Sequence, residues 1–230
     1  MPFKKVQKIT AWSYSRWSQY EECPAKAKYK FLDKLPEPGS PAMERGSAIH
    51  QLAEKVVLEK RSKIPEELVR FAAEFREVRR AKGVETELEL AYTRDWEPCD
   101  WKDWDHAWVR IKIDLLVPID KGKVLSIVDH KTGRPKPAYA PQLELYALGA
   151  LLRYPQANSA RARLWYLDHG IISPERHTEG VYPQSAVPAL KKKWEQRVIP
   201  MLSDKKFAPR PGNYCRWCTF SKAKLGPCRF

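Results

Sequence analysis

The chain has 230 residues, of which 43% are hydrophobic, and this is enough to form one substantial core. Its 42 basic and 28 acidic residues give a net charge of +14, a balance that favours a nucleic-acid partner. No apolar run approaches the ~18 residues of a membrane span, and no N-terminal segment resembles a signal peptide. We therefore expect an intracellular, cytoplasmic protein.

The N-terminal third of the sequence predicts four helices, at 13–22, 24–32, 41–60 and 65–81. Cys23 separates the first two helices, and Pro24 occupies the first position of the second, where proline is well tolerated. The third helix contains the pattern Arg45-Gly46-x-x-x-His50. A lone helical histidine is more often a structural residue than a ligand, so His50 is a candidate metal ligand only if other residues support it.

Two strands are predicted to form an antiparallel hairpin, at 107–118 and 123–130, joined by a turn at 120–123. Alternating apolar residues from Val109 to Val117 form one face of the first strand, and Asp114 lies on the other face. The hairpin can bring Asp114 close to Asp129, and two adjacent carboxylates repel unless a cation lies between them. Oxygen ligands at such a site favour Mg²⁺ or Mn²⁺. The alternative is that Asp114 only satisfies a turn.

Asp129 and Lys131 are two residues apart in Ile127-Val128-Asp129-His130-Lys131. Side chains at this spacing share one face of a strand. A carboxylate can hold a divalent cation, and a neighbouring lysine can position a water or balance charge on a phosphate, as metal-assisted phosphodiester hydrolysis requires. Taken alone, the triplet is more often a surface salt bridge at a strand end.

The following segments predict a helix at 141–152, a strand at 160–167 and a long basic helix at 182–202. Gln142 and Tyr146 share one face of the first helix, where they can contact a DNA phosphate or orient an active-site group. An earlier strand at 84–92 precedes the hairpin and carries three alternating acidic candidates, Glu85, Glu87 and Glu89, of which Glu87 is the preferred one.

These elements predict an α/β (α+β) fold with a mixed sheet flanked by helices. We expect a single domain over 1–230, with an N-terminal helical part at 1–82, a core of sheet and helix at 83–170, and a C-terminal helix and cysteine-containing tail at 171–230. Four tryptophans lie in a segment without clear periodicity and are candidates for exposed, base-stacking residues: Trp96, Trp101, Trp104 and Trp108.

Five cysteines are present, and in a reducing compartment they favour metal ligation over disulfides. Cys215 and Cys218 form a Cys-x-x-Cys turn, Cys228 follows nearby, and Cys23 lies close to the other end of the chain. One metal centre at these four residues would join the terminal regions. Their spacing alone is compatible with zinc and with an iron–sulfur cluster. Cys99 has no partner in this pattern.

The ordered motifs Arg45-Gly46-x-x-x-His50, Asp114, Asp129-x-Lys131 and Gln142-x-x-x-Tyr146 resemble the RecB-like branch of the PD-(D/E)XK nuclease superfamily. The resemblance implies a restriction-endonuclease-like fold. It also implies that His50, Asp114, Asp129 and the backbone carbonyl of His130 bind the metal, that Lys131 is the catalytic lysine, and that Gln142 and Tyr146 support catalysis or contact DNA. Asp129 stands where many members carry glutamate, which shortens the ligand arm.

The layout of the four cysteines also resembles the 4Fe–4S cluster of RecB-like and AddB-like nucleases. That resemblance favours an iron–sulfur cluster at Cys23, Cys215, Cys218 and Cys228. A last gap longer than the usual one keeps zinc as the alternative. The family further implies exonuclease action on single-stranded DNA or DNA ends, with protein partners in recombination, repair or CRISPR systems. The competing hypothesis is a DNA-binding or interaction module without catalysis.

Overall fold

The computed structural model describes residues 8–59, 63–135, 140–174 and 179–230. The α-helices are α1 (Tyr14–Glu22), α2 (Pro24–Phe31), α3 (Pro41–Leu58), α4 (Ala72–Arg80), α5 (Ala140–Arg153) and α6 (Val187–Ser203). The strands are β1 (Glu85–Tyr92), β2 (Pro98–Cys99), β3 (Val109–Ile119), β4 (Val124–Lys131), β5 (Ser159–Tyr166), β6 (Ile171–Ser173) and β7 (Val181–Pro183).

The described chain divides into two compact units, one made of 8–39 with 193–230 and the other of 40–192. The first unit therefore combines segments from both ends of the described chain. The second contains the whole sheet and the helices α3, α4 and α5. The expected single domain over 1–230 stays a prediction.

The second unit contains a seven-stranded mixed sheet in the order β2-β1-β3-β4-β5-β6, in which β7 also pairs with β5. Neighbouring strands are antiparallel except β4 and β5, which are parallel. A parallel pair needs a crossover connection, and α5 forms part of the connection here. The predicted mixed sheet flanked by helices is confirmed.

Burial of apolar side chains on β3 explains how this sheet packs. The alternating residues from Val109 to Val117 are all buried, as their spacing predicts. Gly149 of α5 packs closely on β3, since a Cβ at this position would lie 2.7 Å from Ile111 Cδ1 and the Ile111 side chain would have to shift. A core shared by α3, α4 and the sheet includes Ile49, Ala53, Val56, Phe71, Phe75, Leu115, Val117, Val128 and Trp165.

Several predicted boundaries were wrong in detail. The expected helix at 65–81 is a 3₁₀ helix at Glu66–Phe71 followed by α4, and the expected helix at 182–202 begins only at Val187. Residues Val181–Pro183 form β7 instead, where they pair with β5. The predicted end of the third helix at position 60 lies outside the described residues.

The tryptophan-rich segment is also only partly as predicted. Trp96 is 3% exposed and packs against Trp108, at 5.5 Å between ring centroids, so its expected exposure was wrong. Trp101 and Trp108 are of intermediate exposure. Trp104, in contrast, is 74% exposed.

The first unit is built around stacked aromatic rings. Trp12 stacks on Trp194 with 5.4 Å between ring centroids, and Trp17 contacts Trp194 edge-on at 5.1 Å. The Ser13 hydroxyl caps α1 by accepting from the Arg16 backbone N–H, which satisfies a donor that the first helical turn leaves unpaired. No helix among the described residues is both long and apolar enough to cross a membrane.

Candidate metal and catalytic site

The β3–β4 hairpin places Asp114 next to Asp129, as the sequence predicted. Leu115 pairs with Val128, so the next position along this antiparallel ladder sets Asp114 opposite Asp129. The His130 backbone N–H donates to Asp114 Oδ2 at 2.7 Å, which ties the two strands together at this point. Asp129 is only 2% exposed. Two carboxylates thus meet at the end of a buried hairpin.

Helix α3 brings His50 to the same place. Gly46 of α3 lies beside the end of β4, where a Cβ at this position would be 3.4 Å from Thr132 Oγ1. Arg45 forms two hydrogen bonds to the Asp168 carboxylate, at 2.9 and 2.7 Å, which hold α3 beside the end of β5. His50 Nδ1 then lies 3.4 Å from Asp114 Oδ2.

The described residues contain one compact group of potential metal ligands, His50, Asp114 and His130, with one ligand atom from each lying within 4.8 Å of the others. Only the backbone carbonyl of His130 was predicted as a ligand, whereas this group contains its side chain. Because His130 lies between Asp129 and Lys131 in the strand, its ring projects from the opposite face of β4. This alternation is the feature of the sequence that could have predicted where the ring lies. There the ring packs against Phe75 and Trp165, at 5.9 Å between centroids in each case.

Asp129 is held by two polar neighbours. Lys131 Nζ lies 2.6 Å from Asp129 Oδ2, which matches the shared strand face that their spacing predicts. From α5, Gln142 Nε2 donates to Asp129 Oδ1 and to the Tyr146 hydroxyl, each at 2.8 Å. Gln142 and Tyr146 are buried, at 7% and 8% exposure. Of the two roles considered for this pair, the contacts therefore favour orienting Asp129 over contacting DNA.

The pKa values of the two carboxylates, Asp129 and Asp114, are shifted in opposite directions. Burial, together with the charge of Asp114, raises the pKa of Asp129 to about 6, although Lys131 opposes the shift. Burial alone would also raise the pKa of Asp114, but the His50 hydrogen bond and charge outweigh it, so that pKa is lowered. The same pairing raises the pKa of His50 against its own burial. Burial lowers the pKa of His130 to about 4, so its ring is neutral at pH 7.

These residues fit a divalent cation. The carboxylate of Asp129 lies in a buried position where the charge of Asp114 makes its ionisation costly, and a cation shared by the two would remove that cost. The Nε2 atom of His130 is buried and has no hydrogen-bond partner within the described residues. Carboxylate oxygens with imidazole nitrogen form a donor set that suits Mn²⁺ and, through the oxygens, Mg²⁺.

A cavity of about 710 Å³ opens beside His50. Glu87, Lys112 and Thr132 are among its lining residues, and Glu87 Oε2 pairs with Lys112 Nζ at 2.7 Å. Of the three acidic candidates on β1, Glu87 is the one at this cavity, since Glu85 accepts from the Tyr154 hydroxyl and Glu89 is exposed. Glu87 has a φ of 50° and is missing from the ladder that pairs its neighbours with β3.

Four of the five cysteines line a different cavity, in the unit formed by 8–39 and 193–230: Cys23, Cys215, Cys218 and Cys228. Cys99 is not among its lining residues. The backbone N–H of Arg210 donates to Cys23 Sγ, and that of Gly212 donates to Cys215 Sγ, each at 3.4 Å. Cys23 lies between α1 and α2, where it caps both helices, and it is 8% exposed.

The four thiols do not form a tight group. Within the described chain, no three cysteine sulfurs all lie within 4.8 Å of one another. A zinc ion bound at about 2.3 Å from each sulfur would bring its ligands closer than that. The expected shared centre, whether iron–sulfur or zinc, stays a prediction.

A family model for the PD-(D/E)XK nuclease superfamily matches residues 11–223. The chain belongs to this superfamily. Membership implies a metal-dependent nuclease that hydrolyses phosphodiester bonds, with DNA as its substrate, and it agrees with the mixed sheet and with the acidic and histidine group at the hairpin.

A solved structure titled "Crystal structure of SSO0001" is also similar to this chain. It is 15% identical, has a TM-score of 0.39, and the match covers 99% of this chain and 91% of the other. A search of curated proteins found no match. The RecB-like branch and the iron–sulfur cluster stay predictions.

Proposed function

We propose that the protein is a Mg²⁺- or Mn²⁺-dependent deoxyribonuclease that acts as an exonuclease on DNA ends. The observation that carries this proposal is the environment of Asp129. Its buried carboxylate contacts Lys131 on one oxygen and Gln142 on the other, beside Asp114 and His50. A structural salt bridge at a strand end would not need a buried amide and a second carboxylate.

Asp114, Asp129 and His50 would hold the cation, and the ring or the carbonyl of His130 would complete the set. When bound, a divalent cation polarises a phosphoryl oxygen and lowers the pKa of a bound water. Asp114 is kept ionised by His50 and by the His130 N–H, so it is ready to bind a cation at neutral pH. Asp129 has a pKa of about 6 and is mostly ionised at pH 7 to 8.

Lys131 is the residue placed to act on the attacking water and the phosphate. Its ammonium lies 2.6 Å from Asp129 Oδ2 and its side chain is 21% exposed, so it reaches both the carboxylate and solvent. In that position it can orient a water by hydrogen bonding and stabilise negative charge that develops on the phosphate. An interaction that strengthens with that charge lowers the barrier more than it tightens substrate binding.

Gln142 and Tyr146 have a positioning role in this proposal. The Gln142 amide donates to Asp129 Oδ1 and thereby fixes the orientation of the carboxylate. Tyr146 accepts from the same amide, and burial raises its pKa well above the usual value, so it remains a neutral hydroxyl. Both residues act through Asp129.

The charge of the chain and the resemblance to RecB-like nucleases support the substrate class. A net charge of +14 favours a polyanion, and RecB-like members act on DNA ends, often on single-stranded or 5′-ended DNA. The competing proposal is a DNA-binding module without catalysis. The contact of Lys131 with Asp129, and the charge of Asp114 acting on Asp129, favour the enzyme.

We further propose that Cys23, Cys215, Cys218 and Cys228 hold one 4Fe–4S cluster with a structural role. Support comes from their shared cavity, the exclusion of Cys99, and the two backbone N–H groups directed at sulfur. The resemblance of this four-cysteine layout to that of RecB-like and AddB-like nucleases favours the iron–sulfur cluster over zinc. A link between segments so far apart in sequence restricts the unfolded chain and stabilises the fold.

The remaining parts of the proposal follow from these two sites. We propose that 1–230 acts as one nuclease domain, with its core at 83–170 and its cluster tail within 171–230. Reduced cysteines favour an intracellular, cytoplasmic location. Proteins of recombination, repair or CRISPR systems are the proposed partners.

The test uses duplex and single-stranded DNA labelled at either the 5′ or the 3′ end. Purified protein is incubated with Mn²⁺, with Mg²⁺ or with chelator. We expect release of short labelled products from one end in the presence of metal and none with chelator. Internal cuts would overturn the exonuclease assignment. DNA binding without cleavage under every metal condition would favour the non-catalytic module.

A further inference from the structure

The loop between β2 and β3 has a fixed shape. Asp100 Oδ1 accepts the Lys102 backbone N–H at 2.7 Å, and Asp103 Oδ1 accepts those of Asp105 and His106 at 3.1 and 2.9 Å. These hydrogen bonds between side chains and the backbone stabilise the loop in place of the backbone hydrogen bonds of a regular sheet. The loop therefore presents its exposed residues in one conformation.

Arg110, the second residue of β3, joins this loop to the sheet. Its Nε donates to the Trp101 carbonyl and its Nη2 to the Asp103 carbonyl, each at 2.9 Å. The guanidinium carbon lies 4.4 Å from the centre of the Trp104 ring. Arg110 therefore makes a cation–π contact with one face of the Trp104 ring.

Trp104 remains 74% exposed despite these contacts. Of the nine tryptophans, four are buried, and only Trp104 and Trp217 are more than 70% exposed within the described residues. Because the loop below Trp104 is rigid, little conformational entropy is lost when a flat partner stacks on it.

A row of alternate residues on β3 leads from this loop to the proposed metal site. Arg110, Lys112 and Asp114 project from one side of the strand, because side chains two positions apart share a face. Lys112 lines the cavity that also contains His50. At about 3.3 Å per residue, Arg110 and Asp114 are separated by roughly 13 Å, the length of about four stacked nucleotides.

We propose that an unpaired base of single-stranded DNA stacks on Trp104. From there the same DNA strand runs along β3 towards Asp114, and Lys112 contacts its backbone phosphates. This inference rests on the proposed nuclease function and specifies its substrate as single-stranded DNA. Phosphates match the positive side chain of Lys112, which is 47% exposed and would exchange its contact with Glu87 for a phosphate. A base provides the flat face that Trp104 would cover.

Single-stranded DNA fits these features better than a duplex or a protein does. In a duplex the faces of the bases are already stacked on each other, so an isolated tryptophan on a rigid loop could contact only edges or phosphates. A protein partner would need an apolar patch, whereas Trp104 lies between Asp103 and Asp105 and over the Arg110 guanidinium. Both other occupants are distinguishable outcomes of the test below.

The experiment compares Trp104→Leu with Trp104→Phe, because leucine keeps apolar bulk while phenylalanine keeps a ring that stacks. Binding of a fluorescent oligothymidylate is measured by anisotropy in chelator, where no cleavage occurs. We expect Trp104→Leu to weaken binding about tenfold, within the 5- to 150-fold range of base stacking. Trp104→Phe should stay within about threefold of wild type, and binding of a blunt duplex should not change.

Trp217→Leu is the matched control. Trp217 is 71% exposed and has the Arg216 guanidinium carbon 5.1 Å from its ring centre, but it belongs to the other unit. We expect this variant to bind oligothymidylate as wild type does. Equal losses in both variants would show that the effect is not specific to Trp104 and would overturn the proposal.

A strand with one abasic position, moved stepwise along the sequence, provides a second measurement. In wild type one position should reproduce the loss caused by Trp104→Leu, and in Trp104→Leu no position should cause a further loss. Lys112→Ala should weaken binding and lower the salt dependence of the affinity by about one phosphate contact. Lys123→Ala is the control, because Lys123 lies at the opposite end of β4 from the site, and it should change neither quantity.

The outcomes separate this inference from the proposed function. Wild-type protein that cleaves DNA while Trp104→Leu binds oligothymidylate with unchanged affinity would overturn the inference and leave the nuclease intact. Wild-type protein that never cleaves, with the expected loss in Trp104→Leu, would reject the nuclease and keep the platform. A loss of equal size for duplex and single strand would identify a general surface contact and overturn base stacking.

Discussion

The pKa of Asp129 is raised and that of Asp114 is lowered. We therefore expect Asp129→Asn to stabilise the metal-free protein and Asp114→Asn to destabilise it. Asp129 has a raised pKa, so ionisation disfavours the folded state. The unfolded chain ionises first as pH rises, and the penalty grows between about pH 4 and pH 6 and is complete above that. Asp129→Asn should therefore stabilise the metal-free protein at pH 7.5.

The magnitude follows from the shift. Raising the pKa of Asp129 from 3.8 to about 6 corresponds to at most about 3 kcal/mol at neutral pH. Loss of the charge next to Lys131 offsets part of this gain, so we expect a net increase of about 1 to 2 kcal/mol in the free energy of unfolding. For a chain of this size, that is a rise of about 2 to 8 °C in Tm.

Asp114→Asn is the matched control with the opposite sign. The pKa of Asp114 is lowered, so its ionised form stabilises the fold at pH above the usual carboxylate range, and this contribution is lost as pH falls. Replacement by the neutral amide weakens the contacts with His50 and the His130 N–H, and we expect a loss of about 1 kcal/mol.

Thermal unfolding in chelator at pH 7.5 and at pH 4 is the assay for both variants. The Asp129→Asn gain should shrink towards pH 4, where the folded-state carboxyl is protonated and the unfolded-state carboxyl is about half protonated. Adding Mn²⁺ should raise the Tm of wild type but not that of either variant, since a cation stabilises only the state that binds it. Equal destabilisation by both variants at pH 7.5 would refute the assignment of the buried, unfavourable charge to Asp129.

Three further results are expected. Lys131→Ala should reduce kcat by at least about a hundredfold in single-turnover cleavage while DNA affinity changes little, because its proposed contact strengthens in the transition state. Gln142→Leu should reduce Mn²⁺ affinity measured by calorimetry, and Gln142→Glu should reduce it less if its carboxylic acid can still donate to Asp129; equal affinity for Gln142→Leu and wild type would contradict the positioning role. Cys23→Ser should remove the visible absorbance of anaerobically purified protein and lower its Tm, whereas Cys99→Ser should change neither; a colourless wild type with one zinc would reject iron but keep the ligand set.

The hairpin was predictable from sequence because its pattern is local. Strict alternation from Val109 to Val117 and the turn before β4 determine which faces Asp114 and Asp129 occupy. The spacing of Gln142 and Tyr146 likewise predicted a shared helical face. That Gln142 donates to Asp129 could not be predicted, because it depends on how α5 rotates against the sheet, which long-range packing decides.

Other features escaped prediction for related reasons. Glu87 adopts a left-handed backbone conformation inside a strand, which its residue type does not signal. Residues 181–183 are too short to show periodicity and form a strand only because β5 offers a pairing edge. The burial of Trp96 and the exposure of Trp104 depend on tertiary contacts, since both lie in one aperiodic segment.

The most direct measurement for the central claim is single-turnover DNA cleavage across a Mn²⁺ titration, with wild-type and Asp114→Asn protein purified identically. We predict that wild type cleaves with a saturable dependence on Mn²⁺ and that Asp114→Asn shows no activity above the chelator background at any concentration. Cleavage by Asp114→Asn at the wild-type rate, or cleavage by wild type in chelator, would contradict a divalent-cation site at the β3–β4 hairpin.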